Sequence, residues 1–197
     1  MTKTANEGAA PTISDSKLTE QILNRICDDM GMMLDRDMPF GSVTTTRESS
    51  RMAGEGGIHI SFKLGFSCKS TGKTGHGALL IPLAEAIAMA GFLMMTPDAT
   101  IEQNRKLNVP DDSAKDAMME LSNLISGGID GAMRNTHAGQ WSVGSLGCQG
   151  VPAGVRPAFP YTEGEELITA VMETQIGDFK PFDLILILPI LDMPEAG

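Results

Sequence analysis

The sequence predicts an α+β fold: a mostly antiparallel sheet of about six strands, with two long helices and an N-terminal helix packed on it. Three observations carry this expectation. Apolar residues recur at helical spacing through 17–34 and again through 114–134. They alternate at strand spacing through 57–66 and 168–173. The links between strand-like segments are mostly short, which favours antiparallel pairing.

Taken in order, Asp15 or Ser16 can cap a first helix from Lys17 to Leu34, with Leu18, Ile22, Ile26 and Met30 on its inner face. Ser42 to Thr46 is β-branched and reads as a strand. In Gly57 to Phe66, Ile58, Ile60, Phe62 and Leu64 face one way and His59, Ser61 and Lys63 the other, as in a half-buried strand. "HGALLI" is the next strand. Pro82 can start a second helix, "PLAEAIAMAGFLMM", and "IEQNRK" a short polar one. "NVPDDS" ends in cap residues before the long helix. "QWSVGSLG" is a strand, Gly147 to Pro160 a Gly/Pro-rich connection, and "EELITAVMETQIG" another strand. "DLILILPI" is apolar on both faces and belongs at the centre of a sheet. No clean internal repeat is visible.

The 197 residues suit one domain, 15–197, behind a flexible segment, 1–14. Apolar residues make up 42%, which argues against disorder. A net charge of -10 without any basic run argues against nucleic acid and anionic lipid as partners. Cys27, Cys68 and Cys148 are isolated, as are His59, His76 and His137, so neither a metal site nor a disulfide framework is expected. Unpaired thiols fit a reducing cytoplasm. The apolar run from Ala78 to Met95 is interrupted by Pro82 and Glu85, and reads as a buried strand entering a buried helix, not a membrane span.

Ser67 to Gly75, "SCKSTGKTG", imitates a phosphate-binding loop, with Gly72, Lys73 and Thr74 in the right order. Such a loop needs a helix after it, so that backbone N–H groups face the phosphates. Here a strand follows and the leading Gly is Ser67, so the segment is a hairpin turn. "LILILPILD", ending at Asp192, resembles the strand and Asp that hold magnesium in nucleotide enzymes, but Pro189 interrupts it. No nucleotide or other cofactor is expected.

On a helical wheel the long helix puts Ala117, Met118, Leu121, Leu124, Ile125, Ile129, Ala132 and Met133 on one broad arc. Opposite, Asp116, Glu120, Asn123, Gly127 and Arg134 fall within about 60° of one another. A polar face is what any amphipathic helix carries. Two details set this one apart: Asn is a poor mid-helix residue, and Gly127, Gly128 and Gly131 each cost the helix about 1 kcal/mol relative to Ala. Gly128 falls on the core side, where it permits close packing. Gly127 and Gly131 fall outside, where a smooth strip admits another protein's backbone or the helix bends.

"DAMMELSNLISGG" resembles the D/S-x3-E-x2-N helix of the CheC, CheX and FliY phosphatases of bacterial chemotaxis, with Asp116, Glu120 and Asn123 at the motif positions. "ALLIPLAEAIAMAGFLM" resembles the strand and helix ahead of that motif, and the resemblance spans roughly 39–190. It implies that the protein removes phosphate from the aspartyl phosphate of a CheY-like response regulator. Glu120 and Asn123 would be the catalytic pair, with Asp116 and Gly127 in contact with the partner. Asn123 would hold the attacking water and Glu120 would pair with the partner's lysine. The Mg2+ would belong to the phosphorylated receiver, and the protein would need no cofactor of its own. Relatives with two sites carry a second motif near the N-terminus. Here Ser16 and Glu20 are followed by Leu23 at the Asn position, with Asn24 one residue late. The resemblance is therefore to single-site CheX, which implies a homodimer. Gly128 replaces the family's Asn after the motif, and Ser145 stands where the family has Pro. These departures favour the alternative, a non-catalytic adaptor that binds a receiver domain or flagellar-switch protein.

Overall fold

A computed structural model describes residues 14–49, 57–134, 136, 140–160, 162 and 164–191. The expected lead-in through residue 13, His137 and Asp192 lie outside them. The elements run α1 (Asp15–Leu34), β1 (Phe40–Glu48), β2 (His59–Cys68), β3 (Thr74–Pro82), α2 (Leu83–Leu93), α3 (Asp98–Asn104), α4 (Asp112–Arg134), β4 (Trp141–Val151), β5 (Leu167–Thr174) and β6 (Phe182–Pro189). The expected α+β class and the six-stranded sheet are present. Every pairing is antiparallel, in the order β1-β5-β6-β3-β2-β4.

Local chemistry explains the boundaries. Ser14, not Asp15 or Ser16, caps α1 through its side chain to the Lys17 N–H. Asp111 caps α4, its carboxylate accepting from the Ala114 N–H at 2.7 Å. The phosphate-loop lookalike is the β2–β3 hairpin, with Gly72 at φ +70 in its turn and strand on both sides. β6, apolar on both faces, is one of the two central strands, as expected.

The helices cover one face of the sheet and bury the larger core there, including Ile60, Phe62, Leu79, Leu121, Ile129, Ala170 and Leu186. The other face buries a smaller cluster, in which Ala78, Leu80, Ile185 and Ile187 lie under Phe159 of the β4–β5 connection. That second layer corrects one expectation in part. β2 alternates as a half-buried strand from Lys63 onward, but in its first half His59 and Ser61 are enclosed as fully as Ile60 and Phe62, because both faces are covered there. Ile58 precedes the strand and is exposed. The Gly/Pro-rich connection also starts later than expected, since β4 continues through Gly147 to Val151.

The sheet has a repeat that is invisible in the sequence. Exchanging β1 with β4, β5 with β2 and β6 with β3 reverses the strand order onto itself, about the central pair Leu79–Leu186. The helices obey the same symmetry. Each of the eight buried positions of α1 maps to a buried position of α4 at an offset of 99 residues, as Ile22 to Leu121 and Leu34 to Met133. The helices meet at an equivalent pair: a Cβ on Gly128 would lie 3.1 Å from the Asp29 Oδ2.

Candidate functional site

The core-facing arc of α4 is buried as expected, apart from Leu124, which is half-buried. Asp116, Glu120, Asn123 and Gly127 are all exposed on the opposite side. Among the described residues, no hydrogen bond or ion pair engages the side chains of Asp116, Glu120 or Asn123. Glu120 and Asn123 are one turn apart and therefore neighbours on the surface. Gly127 has open space where a Cβ would stand, and so has Gly131. Gly128 has not, so its absence of a side chain is explained by the approach of α1. Arg134, the last residue of the stripe, pairs with Asp130 at 2.5 Å.

The helix carrying this stripe is pinned to the edge strand β4. Asp130 is buried and accepts from the Val143 N–H at 2.9 Å. Ser122, fully buried beside Asn123, has its hydroxyl 2.7 Å from that of Ser145. Ser145 also accepts from the Gly147 N–H, at the bulge where β4 slips register against β2. Thus the position at which the resemblance expects Pro holds the strand to the helix by a hydroxyl pair. The Ser126 hydroxyl donates to the backbone carbonyl of Asn123 at 2.9 Å, and the Asn123 side chain is exposed. Among the described residues, no three His, Cys, Asp or Glu side chains gather as a metal site would require.

The α1 face needs a correction. Spacing alone sets Ser16, Glu20 and Leu23 against the motif, but the burial offset of 99 sets Gln21 and Asn24 against Glu120 and Asn123. Leu23 is fully buried and could never have been a surface position. Asn24 is thus on the equivalent face, yet its Oδ1 is buried and lacks a hydrogen-bond partner. An amide replaces the carboxylate at Gln21. The phase of the buried residues, compared helix with helix, is the signal that would have located this pair.

No protein-family model matches the chain, and no curated protein does. Solved structures do, and they give the chain the fold of the CheC/CheX/FliY family. Thermotoga maritima FliY superposes with a TM-score of 0.65 at 10% identity, over 89% of this chain and 87% of that one. CheX from Desulfovibrio desulfuricans gives 0.53 at 14%, over 87% and 98%. FliM in the FliG–FliM complex of H. pylori gives 0.57 at 13%, over 88% and 90%. At such identities the likeness is one of fold.

Proposed function

We propose that this protein is a phosphatase of a phosphorylated CheY-like receiver domain, acting through α4. One observation carries the reading: Glu120 and Asn123 stand side by side on an exposed helix face, and neither side chain has a partner within the described residues. The exposed Asn123 carboxamide, engaged by no hydrogen bond among the described residues, is available to a ligand. The receiver's acyl phosphate lacks only an oriented water. The Asn123 carbonyl oxygen accepts from that water and its NH2 donates toward it, holding the oxygen in line with phosphorus. The water's oxygen–phosphorus bond forms as the bond to the aspartyl oxygen breaks. The products are inorganic phosphate and a free aspartate, with the water's proton passing to solvent. Because the transition state is loose, positioning supplies the effect and no base is required. Glu120 pairs with the receiver's lysine, Asp116 and Gly127 flank the contact, and the receiver brings its own Mg2+. The setting is chemotaxis-type signalling in the cytoplasm, with a single site per chain as in CheX.

The second reading is a non-catalytic adaptor for a receiver or switch protein. Its support is that FliM, which the matched structure holds in complex with FliG, has the same fold. The readings separate in one experiment. Receiver domains of the source organism are phosphorylated with magnesium present, and phosphate loss is followed with wild type and with Asn123→Ala. Loss accelerated by wild type and abolished in the variant, with binding retained, supports the phosphatase. Binding without acceleration by either protein leaves the adaptor.

A further inference from the structure

A groove of about 440 Å³ opens beside the N-terminal half of α4. Separate segments build it, among them Ile58 before β2, Leu83 at the start of α2, Val109 in the α3–α4 link, Met118 and Met119 on α4, and Cys148 on β4. Its lining is almost wholly apolar; Lys115, at the rim, is its one charged residue and pairs with Asp112 at 2.8 Å. Three of its walls are left in water, with Val109 66%, Met119 46% and Ile58 38% exposed. Scattered apolar residues need no explanation, but several gathered around one concavity mark a contact surface.

The groove is shaped from below. Gly147, at φ +80, lets the β4 bulge pass under Met119, whose Cε would lie 3.3 Å from a Cβ there. The Cys148 thiol donates to the Met119 sulfur at 3.9 Å. Met119 is therefore held as a wall. It stands three residues after Asp116 and four before Asn123, so wall and polar stripe are adjacent on one helical surface. A standard interface of about 800 Å² per partner spans both.

We propose that this groove seats an apolar side chain of the same receiver domain whose phosphate faces Asn123, and so sets the receiver's orientation on α4. The inference rests on the phosphatase reading for the identity of the partner. Charge complementarity selects that partner. Asp116 and Glu120 lie on α4 within one turn of the wall residue Met119, and neither has an ion pair among the described residues, on a chain of net charge -10. The matching surface is apolar beside a cation, and in the phosphatase reading that cation is the receiver's lysine, with which Glu120 pairs. The groove supplies affinity and register, while Asn123 supplies the water.

The test titrates the full chain with a panel of receiver domains activated by beryllofluoride, and measures dephosphorylation and oligomeric state in parallel. Val109→Glu, at an exposed position that tolerates the charge, is expected to raise Kd about tenfold or more, and Met119→Ala to act in the same direction. Val109→Met, which keeps the wall apolar, is expected to bind as wild type does. Thermal melts check that each variant is folded. If wild type binds and dephosphorylates a receiver and Val109→Glu does so equally well, the groove inference falls while the phosphatase reading stands. If wild type binds no activated receiver, the reading falls and takes the inference with it. If wild type is a dimer that Val109→Glu splits, the occupant is a second copy and the inference is overturned.

Discussion

α1 and α4 occupy equivalent places against the same sheet, yet only one presents a chemical face. Both bury the same eight-position stripe, and both carry an Asn at the equivalent outer position, 24 and 123. On α4 the Asn carboxamide is free and a carboxylate stands one turn before it. On α1 the Asn oxygen is enclosed, the preceding position is Gln21, and Arg25 pairs with Asp29 at 2.7 Å. Scaffold and outer face are thus separable: symmetry sets the position of the helix, and three or four outward residues make the two faces chemically different.

The largest expected effect tests that contrast directly. Asn123→Ala should reduce acceleration of receiver dephosphorylation by about a hundredfold to a thousandfold, as does loss of other fixed polar groups that act on the reacting centre. Asn24→Ala should leave it unchanged, and a comparable loss from both would make the halves functionally equal. A smaller effect concerns the glycine that α4 has where α1 has Asp28. Gly127→Ala fills open space in a helix interior, so it should raise stability by about 1 kcal/mol in urea unfolding. If α4 docks a receiver as proposed, the same methyl should weaken that binding. Stability gained without loss of binding would reduce Gly127 to a flaw in the helix.

The last contrast is chemical. Cys27 on α1 maps to Ser126 on α4. Burial pushes the Cys27 thiol up from 9.0 to about 11, so in this window the unfolded chain loses its proton first. The thiol's contribution to stability is complete below about pH 9 and is lost as pH rises to about 11, a change of roughly 2–3 kcal/mol. Ser126 does not titrate. Alkaline melting curves should therefore flatten in Cys27→Ala and keep their slope in Ser126→Ala.

Much of this was legible in the chain. Helical and strand periods located the longer elements, β-branched residues marked β1, α3 began three residues before its expected start, and the helix missing after Thr74 disposed of the phosphate loop. The wheel of α4 separated Glu120 and Asn123 from the core. What local periodicity could not supply was anything set by pairing between distant segments. His59 and Ser61 look like a solvent face until β4 and the β4–β5 connection enclose them. Leu23 fits a motif position by spacing, but contact with the sheet sets the phase of α1. The groove joins residues 58, 109, 119 and 148, and no single segment reveals it. Ser145 became interpretable only when its hydroxyl met that of Ser122.

The exchange of outer strands has a consequence for how the molecule comes together. β1 leaves its own half to pair with β5, and β4 leaves its half to pair with β2, so each half finishes the other's sheet. Neither half has a complete edge alone, and assembly must await contacts between segments about a hundred residues apart, the slow kind of nucleus. Cutting the chain in the exposed 106–109 stretch would therefore yield two fragments that associate into one native body when mixed, and that remain unfolded apart.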